Sequence, residues 1–144
     1  MSHTLPPILL EITTRASPAE TWAALTEPDR IAAWFTDASP LGDVGSAYRL
    51  DFGDGSVVEG VVTELEPGHR FAHTWAWADA DDDVLPGPST MVSWSVEPAP
   101  RGARVTLTHG GWTEAGLDEV VRDDHEGYWV GYLDDLAAIL DPAG

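Results

Sequence analysis

The chain has 144 residues, 43% hydrophobic and 22% charged, with 25 Asp and Glu against seven Lys and Arg for a formal net charge of −18. That length suits a single domain over residues 1–144 with one continuous core at about 8–140, and the apolar content is too high for intrinsic disorder. The charge repels nucleic-acid phosphates and anionic lipid headgroups, so neither is an expected partner, and the absence of cysteine removes disulfides, thiolate nucleophiles and cysteine zinc sites.

No stretch approaches the ~18 apolar residues of a membrane span. Met1 to Pro7 lacks the basic start and apolar run of a secretory signal, so a cytoplasmic location is expected.

Ile8 to Thr14 reads as a strand, with Ile8, Leu10 and Ile12 on one face and Glu11 and Thr13 on the other. It ends at Ser17-Pro18-Ala19-Glu20, a capping box that opens a short helix with Trp22 and Leu25 on its buried side. A second short helix starts near Pro28 and carries Ile31, Trp34 and Phe35 at i, i+3 and i+4. From Gly42 the period becomes two. Turn signals at Gly53-Asp54-Gly55, Pro67-Gly68, Pro86-Gly87-Pro88 and Arg101-Gly102 then separate five strands, near Ala47 to Phe52, Val57 to Leu65, Arg70 to Trp77, Thr90 to Glu97 and Ala103 to His109. Asp79 to Pro88 is expected to be a solvated hairpin loop, since its aspartates lack the spacing of a calcium loop. A helix beginning near Leu117 or Glu119 closes the chain, its apolar stripe formed by Trp129, Leu133, Leu136 and Leu140. Gly127 and Gly131 share one face of it, which predicts either close approach to the sheet or room for a ligand. Asp141 to Gly144 is read as a frayed end.

This order of elements is similar to that of the START-like, helix-grip superfamily. Seven phrases in sequence resemble one branch, the proteins like the C-terminal domain of the activator of the ninety-kilodalton heat-shock protein ATPase. They are the run from Ser17 to Thr26, Trp34-Phe35, Val44-Gly45, Gly60-Val61-Val62 with Glu66-Pro67, Arg70 to Trp75, Arg104 to His109, and Gly127-Tyr128-Trp129 followed by Leu133 and Leu136. The resemblance implies an α+β fold in which a curved six-stranded antiparallel sheet wraps around the long C-terminal helix, with two short helices after the first strand. It also implies an apolar cavity between sheet and helix. His73 stands where the branch usually carries an aromatic or aliphatic residue, which makes the expected cavity more polar than usual.

Alternation along the strands assigns the residues that would face such a cavity. These are Tyr48 and Leu50, then Phe71, His73 and Trp75, then Val92 and Trp94, and lastly Leu107 and His109. Trp34 from the second short helix and Trp129 and Leu133 from the last helix complete the expected ligand-binding set. Seven Trp residues supply large flat apolar faces suited to an aromatic ligand, although any one of them can equally fill the core. His73 and His109 fall on strands separated by one other, ~10 Å apart and too far to share a metal, so no metal or cofactor is expected. His125 on the last helix is expected to face solvent. No nucleophile elbow, phosphate loop or dinucleotide fingerprint is present.

The leading reading is a non-enzymatic binding module for a small hydrophobic or aromatic molecule. A polyketide cyclase or dehydratase is a second reading, implied by the resemblance because START-like cyclases look like this fold with a few polar groups in the cavity; His73 or Tyr48 would then be the general acid or base. The third, implied by the resemblance, is a co-chaperone-like interaction domain; because the expected single domain leaves no room for the co-chaperone's N-terminal domain, a chaperone partner ranks below the small molecule. A second copy of the chain, as a homodimer, is a further candidate partner.

Overall fold

The computed structural model describes residues 5–53, 55–79 and 89–140. Their elements run β1 (Ile8–Thr14), α1 (Pro18–Thr26), α2 (Pro28–Ile31), β2 (Asp37–Ala38), β3 (Ala47–Asp51), β4 (Ser56–Glu66), β5 (Arg70–Asp79), β6 (Thr90–Ala99), β7 (Gly102–Gly110) and α3 (Glu119–Leu140). The strands form one antiparallel sheet in the order β1-β7-β6-β5-β4-β3-β2. The sheet therefore has seven strands where six are expected from the pattern. The addition is β2, two residues that pair Asp37 with Asp51 and Ala38 with Leu50 at the sheet edge and are too short to carry a period. The loop expected over Asp79 to Pro88 and the end at Asp141 to Gly144 lie outside the described residues, apart from the strand residue Asp79.

Local chemistry sets the connections. Ser17 caps α1, its Oγ accepting from the Glu20 amide at 3.1 Å, and Pro18 occupies the first turn, where an amide hydrogen has no helical partner. The buried side of α1 is Thr21, Ala24 and Leu25. Trp22 is only half-buried and meets Phe71 edge-on at 5.6 Å. The chain after α2 continues in turns, and Trp34 Nε1 donates to the carbonyl of Ala24 at 2.8 Å, satisfying one of the orphan carbonyls at the end of α1.

Two features bend the sheet around α3. A bulge at Thr63 shifts the β4–β5 register between Val62 and Glu64, which increases local twist and curls the strand. At Gly60 the backbone of β5 comes so close that an added Cβ would collide with the Thr74 carbonyl oxygen. Inward-facing side chains of β1 and β3 to β7 then meet Trp129, Leu133 and Leu136 of α3 in one core.

α3 starts where its sequence indicates, with Asp118 Oδ1 accepting from the Val121 amide at 3.0 Å. Arg122 moors it to the segment before β1, donating through Nε to the Pro6 carbonyl at 2.8 Å. Gly127 and Gly131, however, neither touch the sheet nor line a cavity. Neither is buried, and a Cβ at either would meet nothing within 4 Å. The reason is angular: each lies two residues from Trp129, about 200° around the helix, on the side away from the core. Gly131→Ala is therefore expected to raise stability by about 1 kcal/mol through helix propensity alone, measured as a higher urea midpoint. A loss of stability would mean that this face is covered.

Among the described residues, no helix is long and apolar enough to cross a membrane.

Candidate functional site

The inward faces of β5, β6 and β7 present a stepped set of rings to α3. Trp34 meets Trp94 at 6.0 Å, Trp94 meets Trp129 at 5.6 Å, Trp129 meets Trp75 at 5.2 Å and Trp75 meets Trp77 at 5.7 Å. Phe35 sits at the hub of their open end, against Trp129 at 5.3 Å, Phe52 at 5.6 Å and Tyr132 at 4.6 Å. Alternation along the strands turns the sheet's rings inward, and their bulk decides how much space is left between sheet and helix.

The deep part of the expected cavity is filled. Trp34, Tyr48, Leu50, Phe71, His73 and Trp94 surround a void of about 10 Å³, bounded also by Trp75 and Trp129. That is room for about one water molecule. Val92, Leu107, His109 and Leu133 are buried in the core and border neither this void nor the open pocket at the mouth of the sheet. Tyr48 and His73 face one another at 4.7 Å beside the void, so the two residues expected to act on a bound ketone have no space for one between them.

Open volume lies instead at the mouth. A pocket of about 360 Å³ is walled by Phe52, Ser56, Trp75 and Trp77 from the sheet side, by Phe35 from the turn after α2, and by His125, Tyr128, Trp129 and Tyr132 from α3. Of the twelve expected ligand-binding residues, Trp75 and Trp129 reach it. The others that line it extend patterns already visible in the sequence. Phe52 and Trp77 are the next inward positions after Tyr48 and Leu50 and after His73 and Trp75. Tyr128 and Tyr132 flank Trp129 on adjoining helical positions. Trp77 is 40% and Tyr128 70% exposed, so both stand at the rim.

His125 departs from its expected solvent-facing position. Its Nδ1 lies 2.8 Å from the Val121 carbonyl, to which it must donate, which leaves Nε2 to accept from Trp77 Nε1 at 2.9 Å. The ring lies 6.2 Å from Trp75 and 5.0 Å from Trp112. Trp112 itself is completely buried and carries no periodic signal, because it follows a turn at Gly111, whose φ is +89°. Its indole donates to the His109 carbonyl at 2.9 Å.

His109 is held in one tautomer by geometry. An indole N–H only donates, so the 3.0 Å bond from Trp129 Nε1 requires an unprotonated Nδ1. The proton then sits on Nε2 and goes to Thr90 Oγ1 at 2.6 Å, and Thr90 passes its own to the Trp75 carbonyl at 3.4 Å. Burial holds His109 far below the ordinary imidazole value, at about 2, and the neighbouring His125 and His73 push the same way. Burial likewise lowers His73 to about 4, against the opposing effect of its Nδ1 donating to the Thr74 carbonyl. Burial raises the Tyr48 phenol well above its usual range. These groups are kept neutral.

Trp75 contributes a discord inside the ring set. Its Nε1 is buried and has no acceptor among the described residues, an arrangement that costs about 1–3 kcal/mol and that a water or a ligand oxygen would relieve. Among the described residues no group of three His, Cys, Asp or Glu is placed to hold a metal ion.

A family model described as Activator of Hsp90 ATPase homolog 1-like protein matches residues 15–141. No curated protein matches the sequence. Among solved structures, DynU16, a putative protein in the dynemicin biosynthetic locus, superposes with a TM-score of 0.81 at 24% identity, over 94% of this chain and 47% of that one. The chain thus spans less than half the length of that relative. Protein MLL2253 from Mesorhizobium loti gives 0.80 at 21% identity, over 96% of this chain and 98% of that one. The Aha1 dimer from Colwellia psychrerythraea, solved in solution, gives 0.73 at 27% identity, over 95% and 97%. The first two likenesses are to the fold.

Proposed function

The chain belongs to the Activator of Hsp90 ATPase homolog 1-like protein family, and we propose that this member is a binding module that holds a small, flat aromatic molecule at the mouth of its sheet. One observation carries the reading: among the described residues, the pocket of about 360 Å³ is lined by eight rings and a single serine. Its volume falls within the range of small-molecule sites, roughly 300–1,000 Å³, which are characteristically apolar with a few polar groups to orient the ligand. Here the hydroxyls of Ser56 and the two tyrosines are the polar groups, while both nitrogens of His125 are already bonded, to the Val121 carbonyl and to Trp77 Nε1. Stacking on Phe35, Phe52 and Trp77 supplies area without the entropy cost of ordering long side chains.

Titration calorimetry with the neutral tricyclic probe 9-anthracenemethanol tests this. One probe per chain is expected, with the affinity falling about tenfold in Trp77→Ala, a change that removes a stacking ring worth roughly 1.4 kcal/mol. Trp77 is partly exposed, so the variant keeps its fold. Absence of binding to the native protein, or equal affinity in the variant, would overturn the proposal.

A further inference from the structure

We infer that the ligand of this pocket carries a positive charge, as an aromatic amine or a cationic heterocycle would; the inference rests on the aromatic-ligand reading of the same site. The chain's seven basic residues are all arginine, and none lines the pocket. Four are engaged by carboxylates: Arg49 by Glu59 at 3.9 Å, Arg70 by Glu64 at 2.5 Å, Arg104 by Glu11 at 3.6 Å and Arg122 by Glu126 at 3.4 Å. Among the described residues, no guanidinium or ammonium in the wall can neutralise an anion.

The rings and the surrounding charge both favour a cation. The faces of Phe, Tyr and Trp are the negative ends of their quadrupoles, and such rings enclosing one volume form the kind of cage that recognises amines and quaternary ammonium groups. On α3, Asp124 and Asp135 stand four residues before and seven residues after Tyr128, hence on the same ridge of the helix as that rim residue, and both are exposed. The remaining excess of carboxylates gives the whole surface a negative potential that concentrates cations and excludes anions.

The test is an isosteric series on one ring system: 9-anthracenemethylamine, an ammonium at neutral pH, 9-anthracenemethanol, and 9-anthracenecarboxylate. Calorimetry at low salt is expected to show the ammonium bound about tenfold more tightly than the alcohol, with the carboxylate weakest. In about 1 M salt, where the Debye length shrinks to roughly 3 Å, a part of the preference survives because the contact with the rings is not screened. Asp124→Asn with Asp135→Asn is expected to narrow the preference about threefold and leave the alcohol's affinity unchanged. Equal binding of ammonium and alcohol would overturn the inference while the aromatic-ligand reading stands. A preference that disappears in high salt and ignores the double variant would also overturn it, by assigning the effect to diffuse attraction. If no probe binds, the reading beneath it fails first.

Discussion

Lowering the pH from 7 to 5 is expected to remove roughly 4 kcal/mol of stability, a large share of what a domain of this size has. The source is His73 and His109, whose folded values lie at about 4 and about 2 against an ordinary 6.5. Both are depressed, so the unfolded chain takes up protons that the native state refuses. Stability is complete above 6.5 and is lost as the pH falls below it, each imidazole contributing a slope approaching about 1.4 kcal/mol per pH unit. The geometry makes the refusal concrete. A proton on His109 Nδ1 would face the Trp129 N–H. One on His73 Nε2 would lie among the rings of Tyr48, Phe71 and Trp75. Urea midpoints at pH 7, 6 and 5 measure the loss. His73→Phe should halve the slope, whatever it does to stability at pH 7. A flat profile for the parent would show that both imidazoles titrate freely in the folded protein.

Trp129→Ala is expected to cost about 5 kcal/mol or more, combining the roughly 3–5 kcal/mol of a large cavity with the desolvation of an orphaned acceptor. Trp129 is 2% exposed, contacts Phe35, Trp75 and Trp94, and donates to His109. Trp129→Phe separates the two terms, since it keeps most of the packing and removes the donor. A cost of about 2 kcal/mol is expected for it. Denaturant unfolding of both variants gives the comparison, and a Phe variant within about 0.5 kcal/mol of the parent would mean that the indole–imidazole bond contributes nothing.

The strands and the last helix were legible because burial on one side writes a period into the sequence. Alternation from Ala47 to Phe52 and from Phe71 to Trp77 marks inward faces, and the spacing of Trp129, Leu133 and Leu136 marks the helix side that meets them. What periodicity does not contain is distance. It identifies Trp34, Phe71 and Trp94 as inward without revealing that their rings meet and close the interior. The pocket is therefore displaced towards strand ends, where Phe52 and Trp77 continue the same faces. Thr63 illustrates a second limit, because a bulge adds one residue that no alternation announces. Trp112 illustrates a third: it is placed by a turn and by a hydrogen bond to His109, neither of which repeats. The glycines of α3 were interpretable from sequence once set against Trp129, since a separation of two residues already places them on the far side.

The stepped indoles also behave as one optical object. Five of the seven tryptophans, Trp34, Trp94, Trp129, Trp75 and Trp77, are linked by centroid separations of 5.2 to 6.0 Å, short enough for excitation to pass from ring to ring before emission. Four of the five are buried, while Trp77 is 40% exposed. Water lowers the energy of an excited indole, so excitation absorbed anywhere along the series drains towards Trp77. Emission from these five is then weighted towards the rim of the pocket rather than averaged over the core. A molecule that covers Trp77 would dim the light collected by all five.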